Sequence, residues 1–376
     1  MKILLNFIIK EFLQFKRDRR MLTTIFIAPV IQLIFLGYAA NLDLKEIHTV
    51  IFDKDKTETS RNLINAFISN GYFNVDYYVS DYDEFTRLIT KGDALLGIVI
   101  PTEFEKNIGA KKPAQVQAVF DGSDGNKAAI ASGYVQGIIT GFSQNIIMQN
   151  FQMTGMKNTL TGTIIPEVRI WYNPDLTTRY YMLPSIAGLI IMLVTTLLTS
   201  LAIVKEREIG TLEQLIVTPL KPYHMIIGKF VPFSILGFIS ASIVLTVMRY
   251  WFQIPIKGSI SFLYFSAFLF MLSTLGLGLF ISTISRTQVQ AMITSAFGII
   301  MPMIFLSGFA FPIENMPQWV QYLTYVIPLR YFIIILRGVI LKGIGIELLW
   351  PETLILFLFG VLILTISSLR FKKKLE

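Results

Sequence analysis

The sequence predicts a polytopic α-helical membrane protein with six transmembrane helices and an α/β extracytoplasmic domain inserted between helices 1 and 2. Hydrophobic types make up 53% of its 376 residues and charged types 15%, well below the roughly 25% that soluble domains carry. The apolar residues are concentrated in long runs, whereas the segment 42–182 is polar and carries 13 basic and 16 acidic residues. The runs are therefore predicted to cross a membrane, and 42–182 to fold in water.

Residues 1–20 are predicted to form a cytoplasmic interfacial amphipathic helix. Apolar side chains recur there at helical spacing, at Leu4, Leu5, Ile8, Ile9, Phe12 and Phe15. Basic and polar residues occupy the other faces, a pattern typical of a helix lying in the plane of the membrane interface. A solvated basic leader is the alternative for this segment.

Six runs reach the roughly 20 apolar residues that a membrane-spanning helix needs. The first is transmembrane helix 1, residues 21–41, which is long for a signal peptide and is interpreted as an uncleaved anchor. The other five lie within 183–376, and the six cores are Leu22–Asn41, Leu183–Val204, Ile226–Met248, Ser261–Ile284, Val289–Phe311 and Pro351–Arg370. A seventh run, Val326–Leu341, is short and contains Arg330 and Arg337, charges that are costly in hydrocarbon. It is predicted to be a partial or interfacial helix.

The distribution of charge predicts that both termini are cytoplasmic. With that orientation the inner segments carry 15 of the 33 basic residues and only six acidic ones, as the positive-inside rule requires. A seventh span would place the cluster Lys372-Lys373-Lys374 outside. The net charge of +8 is thus assigned to the inner membrane face, and no nucleic-acid partner is expected.

The segment 42–182 alternates strand and helix patterns, which predicts a small α/β domain with a mainly parallel sheet. Strands are predicted at 49–52, 73–79, 94–100, 116–120 and 167–171, and a long helix at 126–152. Two capping boxes are predicted to begin helices, one from Asp81 to Glu84 and one from Thr102 to Glu105.

Several kinds of catalytic site are excluded or disfavoured by composition. Cysteine is absent and only two histidines occur, so thiolate metal sites, histidine clusters and a Ser-His-Asp arrangement are not expected. Four aspartates at strand ends are interpreted as solvated turn residues: Asp53, Asp55, Asp121 and Asp124. The G-x-x-x-x-G-K-[ST] motif is missing, so the chain is not expected to bind ATP by the P-loop route. No metal or cofactor is expected in this chain.

The cytoplasmic loop 205–225 encodes a short helix with defined ends. Gly210 supplies a flexible break, Thr211 with Gln214 forms a capping box, and Pro219 stops the helix. Glu213 lies in the first turn, where a negative charge suits the helix dipole. Leu212, Leu215 and Ile216 share one apolar face.

So short a helix is unstable alone and needs a surface on which to dock. The lipid interface and a partner protein are the two alternatives. Glu206, Glu208 and Glu213 disfavour an anionic inner leaflet, which favours a partner. Glu206 and Glu208 are expected to bind basic residues on that partner, with Arg207 oriented by the two carboxylates; a solvated loop is the other interpretation of these charges.

The loop pattern Glu206-x-Glu208-x-Gly210-Thr211-x-Glu213-Gln214-Leu215, followed by Thr218-Pro219, resembles the coupling loop of ABC-2-type transporter permeases. Three later stretches are similar to the last outer segment of that family: Ser307–Pro317, Pro328–Tyr331 and Leu336-Arg337-Gly338. Ser60-Arg61 and Tyr172-Asn173-Pro174 are similar to its long-ectodomain branch of multidrug efflux permeases. The resemblance covers essentially the whole chain.

This resemblance implies a permease of the bacterial inner membrane that is half of a dimeric pathway, either a homodimer or a heterodimer with a sibling permease. A separate ABC ATPase subunit, which binds ATP and Mg, would dock on the loop 205–220. The family also has a re-entrant outer segment, matched here by 312–341. A periplasmic adaptor protein is a further candidate partner, and the expected cargo is amphipathic or drug-like. Arg179, Glu314, Arg330 and Arg337 are candidate outer-mouth residues, with anchoring favoured over ligand binding.

Two other function classes remain as alternatives. An ion-gradient-driven secondary efflux carrier is disfavoured because the spans are expected to contain no buried acid or base. A membrane-anchored envelope scaffold or receptor would leave the capped loop helix unused. Hydroxyl residues of the second span, Thr195, Thr196, Thr199 and Ser200, suit an amphipathic cargo, but helix packing is the favoured role. Gly276, Gly278 and Gly298 are likewise predicted to be close-packing positions.

Overall fold

The computed structural model describes residues 2–39, 46–153, 171–173, 177–210 and 222–370. Contacts divide the chain into two compact units, one comprising Met1–Asn41 with Arg169–Glu376 and the other Leu42–Val168. The first is helical and the second is an α/β unit.

The N-terminal segment and the first span form three successive helices, of which part of the second and all of the third belong to the span. Helix α1 covers Lys2–Arg17, α2 covers Arg19–Phe26 and α3 covers Ala28–Ala39. The break falls at Asp18, whose carboxylate accepts a hydrogen bond from the Met21 backbone amide at 3.3 Å. The helix expected over residues 1–20 therefore ends three residues earlier, because Asp18 starts a new helix that continues into the first apolar run.

Six helices of the described chain are long and apolar enough to cross a membrane, as predicted. They cover Met21–Ala39, Thr178–Glu208 (α8), Ile226–Tyr250 (within α9, Pro222–Tyr250), Ile260–Ile284 (α10), Gln288–Leu306 and Ile346–Arg370 (α15). The fifth is interrupted: α11, Gln288–Ile293, continues through a π-helix, Thr294–Ile300, into α12, Met301–Leu306.

The seventh apolar run does not form a straight span. Helix α13, Gln318–Thr324, and the continuous helical stretch Pro328–Lys342 meet at an angle of 82°. That stretch consists of α14, Pro328–Arg337, and a second π-helix, Gly338–Lys342. The prediction of a partial helix is consistent with this geometry, which is that of a broken span or a re-entrant loop.

Helix α8 lies at the centre of the helical unit, with 83% of its most apolar window buried. Its hydroxyls serve packing, as favoured from the sequence: Thr195 donates to Ile191 O, and its Oγ1 lies 2.8 Å from Thr274 Oγ1 of α10. A Cβ on Gly278 would lie 2.7 Å from Thr196 O, so only glycine allows this close approach. Gly276 is similarly close to α15, whereas among the described residues a Cβ on Gly298 would contact Thr294 of its own turn at 3.8 Å, so the close packing predicted for it is not seen there.

The α/β unit contains a four-stranded sheet of order β2-β1-β3-β4. The elements are β1 Ile47–Asp53, α4 Glu58–Ser69, β2 Phe73–Tyr78, α5 Tyr82–Lys91, β3 Leu96–Ile100, α6 Phe104–Gly109, β4 Gln117–Phe120 and α7 Gly125–Met153. The first three strands are parallel and β4 is antiparallel, which confirms the mainly parallel prediction. The strand expected at 167–171 lies almost entirely outside the described residues.

The strand-end aspartates bind backbone amides, which supports their interpretation as turn residues. Asp53 accepts from the amides of Asp55 and Lys56, and Asp55 accepts from Phe104 and Glu105 at 3.1 and 3.0 Å. Asp121 and Asp124 do the same locally, binding the amides of Ser123 and Lys127.

Both predicted capping boxes were wrong. Asp81 is the N-cap of α5, but its side chain makes no capping hydrogen bond. Helix α6 has Glu103 rather than Thr102 as its N-cap, with a φ of 64°. The reason is tertiary: Asp55, 49 residues earlier than Phe104, supplies the carboxylate that binds the first amides of α6.

Candidate functional site

The predicted docking loop begins at a well-defined helix end. Helix α8 ends at Glu208, and Gly210 has a φ of +77°, a left-handed conformation that L side chains rarely adopt. The break expected at Gly210 is therefore present. Residues 211–221 lie outside the described part of the chain, so the docking helix and its residues Thr211, Leu212, Glu213, Leu215 and Ile216 stay a prediction.

An ion network with three buried members and one partly exposed lysine joins the helix ends that flank this loop. Glu206, at the end of α8, is 1% exposed, and its two carboxylate oxygens lie 2.7 Å from Lys10 Nζ of α1 and 2.7 Å from Lys229 Nζ of α9. Glu11 completes the network at 3.2 Å from Lys229 and 3.1 Å from Lys10. The four formal charges cancel, so the buried Glu11, Glu206 and Lys229 are compensated together with Lys10, whose side chain is 41% exposed. We call Lys10, Glu11, Glu206 and Lys229 the root network.

The root network corrects one expectation from the sequence. The spans were predicted to contain no buried acid or base, yet Lys229 lies inside the third span and is 4% exposed. Two carboxylates compensate its charge, and the group lies near the end of the span rather than at its middle. A sequence signal existed: Glu11 lies four residues after Phe7 and four before Phe15, so an acid shares one helix face with two aromatic side chains.

Helix α1 is fixed to α9 by packing as well as by charge. Phe7 and Phe15 are buried, and a Cβ on Gly228 would lie 2.1 Å from the Phe7 ring, so Gly228 makes room for it. Leu5, Ile9 and Leu13 form an exposed apolar stripe on another face, and the location of this helix in the membrane interface stays a prediction. Burial opposes ionisation of Lys10, but Glu11 and Glu206 outweigh it, and the pKa of Lys10 is raised above its ordinary value.

The neighbouring charges tie the end of α8 to three further elements. Lys205 Nζ lies 2.7 Å from Asp18, at the start of α2. Arg207 Nη1 donates to Ser282 O and Ser285 O, both at 2.9 Å, at the end of α10. Glu208 is exposed and accepts from Gln288 Nε2 at 2.6 Å, at the start of α11.

The expected orientation of Arg207 by Glu206 and Glu208 was therefore wrong, because backbone carbonyls of α10 hold the guanidinium instead. The structure also places Glu206 in an internal network rather than on an exposed surface. Glu208 is the acid of this pair that remains exposed.

The candidate outer-mouth arginines lie against aromatic rings. Arg337 stacks on Tyr181 with its guanidinium carbon 3.6 Å from the ring centre, and donates to Tyr181 O and Gly308 O. Arg330 lies 4.1 Å from the Tyr325 ring centre and bonds the Thr324 hydroxyl. Arg179 lies 5.2 Å from the Tyr38 ring centre.

Glu314 lies in the 3₁₀ turn Ile313–Asn315. The side-chain amide of Gln321 donates to the carbonyl oxygen of Met316, just after this turn, at 2.9 Å and to that of Glu314 at 3.5 Å. These contacts favour anchoring for the arginines.

Within the described residues, no cluster of three or more His, Cys, Asp or Glu side chains could hold a metal ion.

Six apolar helices, a bent helix pair and the charged residues at the root of the loop define a multi-pass membrane protein. The family profile described as ABC-2 family transporter protein matches residues 19–369, and the chain belongs to this family.

Three relatives extend the comparison. The probable multidrug ABC transporter permease YbhR of Escherichia coli K12 is 32% identical over 96% of this chain and 94% of its own length. The probable multidrug ABC transporter permease YbhS of the same strain is 31% identical over 98% and 96%. ABC transporter G family member 20 of Dictyostelium discoideum is 22% identical over 97% of this chain but only 50% of its own length. The chain is thus the inner-membrane permease subunit of an ABC exporter, which works with an ATPase partner.

Proposed function

We propose that this permease moves amphipathic or drug-like compounds outward across the inner membrane, driven by a separate ATPase subunit that docks on the loop 205–220. The names of the bacterial relatives support the cargo class. The observation that carries the docking proposal is the root network, because it makes the base of the loop a rigid junction of α1, α8 and α9.

A docked helix needs a stiff connection to the spans if it is to transmit motion. Glu206 and Lys229 join the two helices that flank the loop, so displacement of residues 211–217 moves α8 and α9 together. Arg207 extends the connection to α10, which packs extensively against α8. In this proposal Glu206 acts inside the chain, while exposed Glu208 steers the partner, a role that suits peripheral charges.

The docking surface itself is assigned to the apolar face of the loop helix. Leu212, Leu215 and Ile216 enter a groove of the ATPase, Thr211 caps the helix and Glu213 stabilises its first turn. ATP and Mg belong to the partner and supply the energy. This chain contributes the loop helix that transmits the motion of the ATPase and the spans that form the translocation pathway.

The loop end of the helical unit faces the cytoplasm in this proposal, together with both termini, and 42–182 is an extracytoplasmic domain between the first two spans. The basic residues near the loop support this orientation. The fifth and sixth spans are only 22% buried over their most apolar windows, which leaves faces for lipid and for a second permease, a copy or a sibling. The bent pair within 312–341 forms the re-entrant outer segment, and a periplasmic adaptor would receive cargo outside.

The main alternative, an ion-driven carrier, makes a different prediction. Its ionisable groups would form a relay along a path, whereas the root network is compensated and lies at one end of the spans. Transport in inside-out vesicles that is inhibited by vanadate and absent without the ATPase supports the exporter. Transport driven by a proton gradient alone contradicts it.

The docking proposal is tested by a charge placed on the apolar face of the loop helix. Leu215→Asp should abolish co-purification of the P-loop ATPase from native membranes while insertion of the permease stays normal. Gln214→Glu is the matched control, since it also adds one negative charge but on a polar position that keeps the capping box. Equal ATPase recovery with Leu215→Asp and the unchanged protein contradicts docking at this loop.

A further inference from the structure

The α/β unit contains a cavity of about 620 Å³ that the transport proposal does not use. Its walls come from α4, α6, α7 and the turn after α6, all within the same unit. This volume is in the range of small-molecule sites, roughly 300–1,000 Å³. Ten of the thirteen lining residues are apolar, among them Phe104, Ile108, Phe142 and Ile146.

The cavity exists because helix α7 is longer than the core it covers. An apolar stripe runs along α7 at helical spacing, and its first part, Ala131, Val135 and Ile138, is buried in the core with β1 and β3. The stripe continues to Phe142 and Ile146, which line the cavity instead. Apolar side chains that face open space leave hydrophobic free energy unused, so an apolar occupant would be stabilised there.

Two lysines lie at the rim of the cavity. Lys111 and Lys112 follow α6, and their backbone amides bond to Ile108 O and Asn107 O at 3.0 and 2.8 Å, which fixes the turn. Both are exposed. Neither forms an ion pair with another described residue, unlike Lys106 and Lys127, which pair with acids in the same unit.

We propose that this cavity binds a single-chain anionic amphiphile, with the alkyl chain between α6 and α7 and the carboxylate or phosphate at Lys111 and Lys112. An apolar interior with cations at the mouth is complementary to such a molecule. The chain segment 154–170 is a poorer candidate for the site, since it carries Lys157 and Arg169 against one acid, Glu167. The proposal does not depend on the direction of transport or on the ATPase.

The test uses full-length protein in phosphatidylcholine nanodiscs and a palmitate probe carrying a diazirine and an alkyne. After irradiation, mass spectrometry should find label on peptides covering 104–114 and 139–147. Excess oleate and lysophosphatidic acid serve as carboxylate and phosphate competitors, and monooleoylglycerol as the neutral one. Competition by either anion supports the site and identifies its head group. Equal competition by the neutral lipid contradicts the role of the lysines.

Two kinds of variant keep the result interpretable. Lys111→Glu with Lys112→Glu should lower labelling of 139–147 about fivefold or more, because two exposed ion pairs are lost and the charge is reversed. Lys91→Glu, an exposed lysine of α5 outside the cavity, is the matched control and should leave labelling unchanged. Ile146→Trp should also lower labelling, by filling the cavity without changing charge.

Label on the membrane spans provides an internal standard, since probe dissolved in the bilayer reaches them in every correctly inserted variant. Unchanged labelling of 139–147 in the double lysine variant contradicts the proposal. Label confined to the spans of the unchanged protein contradicts it as well, and would indicate that another occupant, such as 154–170, fills the cavity.

Discussion

Lys229 Nζ lies 2.7 Å from Glu206 Oε2, and this pair joins the two helices that flank the loop 205–225. Both side chains are nearly excluded from water. Lys10 and Glu11 of α1 complete the charge balance. The two helices on either side of the loop on which the ATPase is proposed to dock are therefore joined by one compensated ionic cluster.

Removing one member of the root network should destabilise the helical unit strongly. Lys229→Met leaves the cluster with an excess negative charge away from water, which costs about 3–5 kcal/mol. The apparent melting temperature of the purified protein, followed by intrinsic fluorescence, should fall by about 5–10 °C.

The double variant Glu206→Gln with Lys229→Met separates charge imbalance from lost packing. It leaves Lys10 paired with Glu11, so it should recover part of the melting temperature lost in Lys229→Met. A double variant that is less stable than the sum of the two single variants would contradict the compensated-cluster interpretation.

Arg207 should stabilise the C-terminal turn of α10 by donating hydrogen bonds to its last carbonyl groups. Arg207→Met removes the donor to Ser282 O and Ser285 O, hydrogen bonds to a charged group that contribute about 1.5–3 kcal/mol each. Hydrogen exchange should become faster at the last turn of α10. Arg286→Met is the control, since that exposed arginine is adjacent to the same turn but its side chain makes no hydrogen bond to those carbonyls. Equal hydrogen exchange in both variants would contradict the stabilising role of Arg207.

Gly210 should tolerate asparagine better than alanine. Its φ of +77° disfavours a Cβ by about 1 kcal/mol, and asparagine enters this region more readily. ATPase retained on the purified permease should fall about fivefold with Gly210→Ala and recover with Gly210→Asn. Gly137→Ala, in the middle of α7 with open space around it, should leave the retained ATPase unchanged. An equal loss of ATPase in Gly137→Ala would show that the effect at Gly210 does not come from its positive φ.

Acid should weaken the start of α6. Burial opposes ionisation of Asp55, but the amides of Glu105 and Phe104 and the Thr57 hydroxyl bind its carboxylate, so its pKa is lowered from the ordinary 3.8. A lowered folded-state pKa gives stability that is present above the ordinary value and lost as pH falls through the folded value. Exchange protection of the Phe104 amide, corrected for intrinsic rate, should therefore hold at pH 5 and decline below about 3.8.

Asp55→Asn is the variant that isolates this effect. It should lower the protection at neutral pH and remove the acid-dependent step. If Asp55→Asn shows an acid-dependent loss of exchange protection of the same size, that loss comes from the titration of another group.

The spans and the parallel strands could be predicted from the sequence because each depends on a local pattern. A run of 20 apolar residues or a short β-branched run identifies its element without knowledge of its neighbours. The predicted spans agree with the observed helices to within a few residues at most ends, and β1 to β4 lie where strands were expected.

The root network and the true caps could not be predicted because their partners are distant in sequence. Lys10 and Glu206 are 196 residues apart, and Asp55 caps a helix that begins 49 residues later. Local rules predicted Thr102 and Asp81 as side-chain caps. The distant Asp55 binds the first amides of α6 instead, and the Asp81 side chain makes no capping hydrogen bond. Only the interruption of an apolar face by Glu11 indicated a buried charge.

The most direct test of the docking proposal uses one introduced cysteine, since the chain has none of its own. Ile216→Cys should react with a membrane-impermeant maleimide in inside-out vesicles stripped of the ATPase, and adding the ATPase back should protect it. A cysteine at Gln214 should be protected less. Labelling of Ile216→Cys in intact spheroplasts, or reactivity in inside-out vesicles that the ATPase leaves unchanged, would contradict the account.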